Sequence, residues 1–164
     1  MSAVNPLEAD SEVRLLAHIA DFMGTSMSLE EVITAAMRFT SAMMGADGSS
    51  ILLYDREQDK LNFFIALGEK ADQLKNMTLA KGEGIAGFVA STGLPMVVSD
   101  VRRETRFSKR VDQTTGFKTL AIACVPLKVR GELKGVIEVV SKKAGLFGDR
   151  SSTCSPRSRD RSRS

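Results

Sequence analysis

A glycine-rich segment, Gly82-Glu83-Gly84-Ile85-Ala86-Gly87, has residue types and spacing that could support chemistry. It matches the G-x-G-x-x-G spacing of a dinucleotide loop, which also requires a strong apolar strand before it and a βαβ unit after it. Neither pattern is present, and this favours a packing turn. A turn that opens a helix still leaves free amides at the positive end of the helix dipole. The amides of Ile85 and Ala86 are therefore predicted to bind an anion.

Glu138 is a second candidate, because it is a lone carboxylate in the most apolar strand-like run, residues 136–140. A buried carboxylate is costly without a partner. Two interpretations stay open. Glu138 lines a polar cavity, in which Thr119 and Ala121 on the preceding strand leave space for a ligand, or it pairs with a structural partner such as Lys128.

Three polar residues, Asp112, Thr114 and Thr115, precede the last hairpin and would place a carboxylate and hydroxyls close to Thr119. The same residue types are common in ordinary turns. The sequence alone therefore allows both a ligand-binding and a purely structural interpretation of this loop.

The remaining residues give little support for an enzyme active site. His18 is the one histidine, so a histidine-containing zinc cluster or a Ser-His-Asp triad would have to converge on it. Cys124 lies in an apolar run and Cys154 in a polar tail, which favours two free thiols and a cytoplasmic protein. We expect no enzyme activity, no catalytic residue, no metal site and no required cofactor.

Apolar periodicity predicts an α+β domain. Helices are expected at 12–23, ending at Gly24, and at 28–44, where Ser28 and Glu31 form a capping box. A glycine-flanked helix follows at 84–92, and residues 99–116 are expected to be a functional lid. Residues 69–78 are predicted to be a polar connector. Strands are predicted at 49–54, 61–67, 77–80, 96–98, 117–128 and 133–140, forming an antiparallel sheet with helices on its faces.

Composition divides the chain into an N-terminal extension (1–11), one folded domain (12–149) and a disordered Ser/Arg-rich tail (150–164). The tail holds five arginines and one aspartate, so residues 1–149 carry a net charge of −1 within the formal +3 of the chain. A body without basic excess is not expected to bind nucleic acid. We expect no membrane association, since no long apolar run or signal segment is present.

The order of residues from Gly82 to Lys142 resembles a GAF domain. The resemblance rests on 84–90, Thr92-Gly93, Asp100, Thr115-Gly116-Phe117-Lys118-Thr119, Val125-Pro126-Leu127 and 135–139, and it extends over about 15–147. Within the family, the chain is most similar to regulatory domains of cyclic-nucleotide phosphodiesterases and adenylyl cyclases. The resemblance implies a GAF-like, PAS-related α+β fold with helices on both faces of the sheet.

The resemblance also implies a sensory role in signal transduction, with cAMP or cGMP as ligand and an effector protein acting in trans. It places the binding residues at Ser50, Ile85, Ala86, Asp112, Thr115, Thr119 and Glu138. The family's Asn-Lys, Phe and Asp-Glu pattern is retained only at Lys142, Phe147 and Asp149.

Two other functions are compatible with this resemblance. One is a ligand-free module for homodimerisation or docking, which would use the apolar sides of helices 12–23 and 28–44. The other is reduction of free methionine sulfoxide, which some free-standing members perform with cysteines in the pocket loop. The loop 99–116 holds no cysteine, and Cys124 is predicted to be buried and inert.

Overall fold

The computed structural model describes residues 11–23 and 28–148. The chain divides into two compact units, Met1–Phe39 and Thr40–Ser164. Residues 1–10 of the predicted extension 1–11, the predicted helix end at Gly24, and the tail 150–164 lie outside the described residues, so the predictions made for them stay predictions. Ser11, the last residue of that predicted extension, is the first residue of a helix.

Two helices, α1 (Ser11–Met23) and α2 (Leu29–Met44), open the chain close to the predicted positions. The predicted capping box is confirmed at the start of α2. The Ser28 amide donates to Glu31 Oε2 at 2.7 Å, and the Glu31 amide donates to Ser28 Oγ at 3.2 Å. On α1, the apolar side chains of Val13, Leu16 and Ile19 are exposed. Homodimerisation through this stripe stays a prediction.

A six-stranded antiparallel sheet forms most of the second unit, and it confirms the predicted α+β class. Its spatial order is β3-β2-β1-β6-β5-β4. The strands are β1 (Gly48–Asp55), β2 (Lys60–Gly68), β3 (Thr78–Ala80), β4 (Met96–Val98), β5 (Ala121–Val129) and β6 (Glu132–Ser141), and the helices are α3 (Ala71–Leu74), α4 (Gly84–Thr92) and α5 (Arg110–Thr115).

Local sequence explains how the long hairpin β5–β6 forms. Arg130 and Gly131 connect the strands with φ of 52° and 77°, which is the geometry of a two-residue turn that matches strand twist. Pro126 is tolerated in β5 because β4 pairs only with Ile122–Cys124, so the outer edge of β5 is unpaired at Pro126.

One apolar core lies between the sheet and α4. Leu52, Leu61 and Val136 from the strands and Val89 from α4 have no exposed surface. Full burial of a side chain of this size contributes about 1.5–3 kcal/mol each. The core therefore fixes α4 against the strands that carry the candidate binding residues.

Three sequence predictions need correction. The predicted connector 69–78 contains the helical turn α3, and the loop 99–116 contains a 3₁₀ turn at Val101–Arg103 and the helix α5. These helices have three to six residues, too few to show an apolar period. The predicted strand 117–128 begins only at Ala121 because Gly116 adopts a left-handed conformation as it ends α5. Over the described residues, no helix is long and apolar enough to cross a membrane.

Candidate ligand-binding site

A cavity in the second unit lies between the sheet, the start of α4 and α5. It contains about 760 Å³ of space between atoms, including its open mouth. All seven residues predicted to bind a ligand line it: Ser50, Ile85, Ala86, Asp112, Thr115, Thr119 and Glu138. The structure thus brings together residues that are up to 88 positions apart in the sequence.

Glu138 lies on β6 in the centre of the sheet, opposite Ser50 of β1 and Cys124 of β5. Its carboxyl group has no hydrogen-bond or ion-pair partner among the described residues. Lys128 is not that partner, because it is opposite Leu133 in the hairpin and its Nζ lies beside Gly93, at the C-terminal end of α4. The structure thus places Glu138 in the lining of the cavity and not against Lys128.

Burial in this cavity raises the pKa of Glu138 to about 7, and the negative charge of Asp112 contributes to the rise. Burial and the nearby Glu138 together raise the pKa of the Cys124 thiol. Near neutral pH, Glu138 therefore exists as a mixture of carboxylic acid and carboxylate. It can act as a hydrogen-bond donor in one form and only as an acceptor in the other.

The start of α4 contributes backbone amides to the cavity. The Gly87 amide donates to the Glu83 carbonyl at 3.0 Å as the first bond of the helix, so the amides of Gly84, Ile85 and Ala86 have no carbonyl partner within it. Glu83 does not cap these amides with its side chain, which instead accepts from the Ala80 amide. This geometry suits an anion at the helix start.

The glycine-rich segment serves as a packing turn, as predicted. A Cβ added to Gly87 would lie 2.8 Å from the carbonyl oxygen of Ala80 and 2.8 Å from the amide nitrogen of Gly82. Gly84 has a φ of 67°, which favours glycine. The strands around this segment are antiparallel, so no βαβ unit surrounds it in the described part of the chain.

The α5 side of the cavity is held by side-chain hydrogen bonds. Asp112 accepts from the Thr119 amide at 2.8 Å and from the Thr119 hydroxyl at 2.7 Å. The Thr115 hydroxyl donates to the Val111 carbonyl at 2.9 Å and accepts from the Phe117 amide at 3.2 Å. Asp112, Thr115 and Thr119 therefore already have hydrogen-bond partners within the protein. Their side-chain oxygens can still accept a further hydrogen bond from a ligand in the cavity.

Two small residues near the predicted binding set lie outside the cavity: the structural interpretation holds for Thr114, and the expectation for Ala121 is wrong. Thr114 does not line the cavity; it is exposed, and its hydroxyl donates to the Arg110 carbonyl. Ala121 is opposite Ser141, whereas Cys124 is opposite Glu138, and side chains alternate between the faces of a strand. Ala121 thus points away from the Glu138 face, and Ile122 lines the cavity in its place.

Comparison with known proteins now identifies the fold. The family model for the GAF domain matches residues 28–153, more than half of the chain. The chain belongs to the GAF domain family. A probable 3',5'-cyclic phosphodiesterase of Caenorhabditis elegans is 31% identical over 130 residues, which are 74% of this chain and 18% of that protein. A dual 3',5'-cyclic-AMP and -GMP phosphodiesterase of Drosophila melanogaster is 37% identical over 78 residues, 47% of this chain and 5% of that protein.

Solved structures agree with this GAF fold. The GAF domain of an Acinetobacter phosphoenolpyruvate-protein phosphotransferase has a TM-score of 0.68 at 19% identity, covering 86% of this chain and 83% of that one. The nlh2 GAF domain of A. aeolicus has a TM-score of 0.61 at 26% identity, covering 79% and 78%. A free methionine-R-sulfoxide reductase of Neisseria meningitidis has a TM-score of 0.63 at 19% identity, covering 88% and 83%. Neighbours at 19% identity support the fold alone.

The GAF domain also lines its cavity with aromatic side chains that are not among the seven predicted binding residues. Phe63, Phe107 and Phe117 form apolar walls, and Ser108 lines the cavity directly after Phe107. The period-two alternation of β2 would have placed Phe63 on the inner face. No sequence signal predicted the orientation of Phe107 or Phe117, because both lie in irregular backbone.

Lys142 contacts three residues that line the GAF cavity, although it does not line the cavity itself. Its Nζ lies 2.8 Å from Glu69 Oε1 and 5.0 Å from the centre of the Phe117 ring, and its amide donates to Asp47 at 2.7 Å. Hydrogen bonding to Lys142 lowers the pKa of Glu69. This lysine, which the sequence identified as a retained family position, thus connects three separate segments of the cavity lining.

Proposed function

We propose that this GAF domain is a regulatory module that binds a cyclic nucleotide, cAMP or cGMP, or a similar small anion. Glu138 carries the proposal, because it is a carboxyl group without a protein partner that faces a cavity whose opposite side is the amide-rich start of α4. The likeness to two cyclic-nucleotide phosphodiesterases supports this ligand class. The chain spans less than a fifth of each of these relatives, so their catalytic activity is not assigned to it.

In this proposal the phosphate lies on the amides of Ile85 and Ala86, where the helix dipole favours negative charge. Ser50 and Glu138 hydrogen-bond the remainder of the ligand from the sheet. Apolar side chains such as Phe63 and Phe107 contact its rings. The amides supply the main attraction for an anion, because most ionisable side chains of the described lining are acidic. These side chains comprise four carboxylates, Asp47, Glu69, Asp112 and Glu138, and one cation, Lys70.

The proposed output is a shift in the position of α5. If the ligand contacts Thr115 and Thr119 in only one of two positions of α5, it binds the protein more tightly in that position and so stabilises it. The resulting signal would pass to an effector protein in trans or to a second copy of the chain. Binding of this kind requires no cofactor, and we place the module in the cytoplasm.

Methionine sulfoxide reduction is less well supported than binding. Fold neighbours described as free methionine-R-sulfoxide reductases are 19% and 20% identical to this chain, a level that supports only the fold. Cys124 is 1% exposed, does not line the cavity, and has a thiol pKa raised by burial. A buried thiol of raised pKa holds little reactive thiolate.

Calorimetric titration of the purified chain with cAMP and with cGMP tests the proposal. We expect saturable binding of at least one nucleotide, and at least a roughly tenfold weaker affinity in Glu138→Ala, which loses a hydrogen bond inside the cavity. Glu132→Gln is the matched control, because Glu132 is on the same strand but outside the cavity. Absence of saturation with both nucleotides at millimolar concentration would refute cyclic-nucleotide binding.

A further inference from the structure

A second depression lies on the outer side of α5, between the Val101–Arg103 turn and residues 116–119; we name it the α5 basin. It contains about 1150 Å³ of space, much of it open to solvent. Phe107, Asp112, Phe117 and Thr119 line both the basin and the ligand cavity. The two sites are therefore opposite sides of one thin wall.

Positive charge is concentrated around the α5 basin. Residues 102–118 contain six cations and two carboxylates, within a body of net charge −1 over residues 1–149. Both carboxylates are engaged: Glu104 pairs with Arg106 at 2.6 Å, and Asp112 binds Thr119. Two further arginines of the segment, Arg102 and Arg110, pair with Asp100 and Glu83, so the unpaired positive charge of the basin lining lies on its lysines. The basin-lining lysines, Lys109 and Lys118, are exposed and have no carboxylate partner among the described residues.

The basin also has an apolar part. Val101 is buried at its edge, and Phe107 and Phe117 are half-buried along its wall. Gln113 on α5 adds an amide that can donate or accept a hydrogen bond. An apolar pocket bordered by unpaired cations is complementary to a chain that presents an apolar side chain between carboxylates.

We propose that the α5 basin is a docking surface for an acidic peptide segment of a partner protein, in which aspartates or glutamates flank an apolar residue. The carboxylates bind Lys109 and Lys118, and the apolar side chain packs against Phe107 and Phe117. A nucleic acid is the poorer fit, since its phosphates require an extended row of cations and the rest of the body is acidic. The peptide is tested on the chain without added nucleotide, so the result is read separately from that of the cyclic-nucleotide titration.

The probe is a fluorescein-labelled peptide with four Asp or Glu residues flanking one Leu, measured by fluorescence anisotropy with the whole chain. We expect saturable binding that weakens with added salt, because the contact is between exposed charges. The double substitution Lys109→Glu/Lys118→Glu should weaken binding by at least about tenfold. Lys60→Glu, a charge reversal at an exposed lysine outside the basin, should leave the affinity unchanged. Circular dichroism verifies that each variant is folded.

Two further probes distinguish other occupants. A peptide with Gln and Asn in place of the acids should not bind, and a labelled oligo(dT) of equal charge should bind more weakly than the acidic peptide. Three results would overturn the proposal: no saturation by the acidic peptide, equal affinity in the wild-type chain and the double variant, or tighter binding of oligo(dT). The last would indicate a nucleic-acid surface.

Discussion

The two walls of the ligand cavity are built in different ways. The strand wall, which carries Ser50 and Glu138, is held by ladders that pair β1 with β6 and β6 with β5, distant in sequence. The α5 wall is held mainly by bonds between residues two to seven positions apart, such as Asp112 to Thr119 and Thr115 to Val111. One wall shares the stability of the whole sheet, whereas the other depends on a few local contacts.

This difference gives the two walls different roles: the strand wall holds binding residues in fixed positions, and the α5 wall can move. A wall that belongs to the sheet can move only if the core is disrupted, so it can hold Ser50 and Glu138 in fixed positions. A wall with few long-range contacts can open at a small fraction of the global unfolding free energy. Arg110 provides one distant tie for α5, because its Nε lies 2.6 Å from Glu83 Oε1 and its Nη2 donates to the Thr78 carbonyl.

The largest effect is expected where the strand wall is most tightly packed. A Cβ added to Gly135 of β6 would lie 2.1 Å from the carbonyl oxygen of Leu52 in β1. Gly135→Ala must separate these strands, and we expect the free energy of unfolding to fall by about 3 kcal/mol or more. Urea denaturation followed by circular dichroism measures this loss.

Gly131→Ala is the matched control for this substitution. No atom lies within 4 Å of a Cβ at Gly131, but its φ of 77° makes alanine unfavourable by about 1–2 kcal/mol. A loss in Gly135→Ala no larger than that in Gly131→Ala would contradict the expected clash between β6 and β1.

A smaller, pH-dependent effect is expected at Glu138. Its pKa of about 7 in the fold exceeds the ordinary value of 4.5, so folding favours the protonated form. The contribution of Glu138 to stability is therefore fully present below pH 4.5 and is lost as the pH rises through 7. The total loss is at most on the order of 3 kcal/mol.

Urea denaturation of the wild type and of Glu138→Gln at pH 5 and pH 8 measures this loss. The stability of the wild type relative to the variant should be lower at pH 8, because glutamine does not ionise. Glu132→Gln, at the exposed start of the same strand, loses only surface ion pairs to Arg56 and Lys134, so its stability relative to the wild type should differ little between pH 5 and pH 8. Parallel behaviour of the wild type and Glu138→Gln would mean that the cavity does not oppose ionisation of Glu138.

The same difference between the walls explains which elements the sequence could predict. Strand β4 and helix α4 have the predicted bounds, Met96–Val98 and Gly84–Thr92, since apolar runs bounded by glycine or proline define both. The α5 helix was missed because its six residues, Arg110–Thr115, are mostly polar and its stability comes from bonds to side chains outside it. A window of apolar periodicity cannot detect such bonds.

The lining of the cavity, like the elements of the fold, could be predicted in part from the sequence. Glu138 could be identified because a carboxylate in an apolar strand conflicts with its surroundings, and Ile85 and Ala86 because glycines mark the start of a helix. The family resemblance supplied Ser50, Asp112, Thr115 and Thr119, all of which line the cavity. The face of Ala121 was wrong because the start of β5 was placed four residues too early, and a strand without a known register does not fix which side chains point inwards.

The smallest effect is expected at Asp112, which binds Thr119 in the α5 wall and whose charge acts on Glu138 in the strand wall. Asp112→Asn keeps one acceptor oxygen but loses the charge and one of the two bonds to Thr119, so we expect a loss of about 1 kcal/mol in global stability. Hydrogen exchange measured by mass spectrometry should accelerate in the peptides covering 110–120, while exchange in β1 and β6 stays unchanged. Asp72→Asn, at an exposed carboxylate on α3, is the control and should leave both regions unchanged.

Asp112→Asn also tests the electrostatic link between the walls. Because the charge of Asp112 helps to raise the pKa of Glu138, its removal should move the Glu138 titration to lower pH. Carbon-13 NMR of the Glu138 carboxyl group follows this titration directly. Acceleration of exchange throughout the sheet would mean that the α5 wall is part of the same cooperative unit as β6, and a ligand could then move α5 only by loosening the strands that bind it.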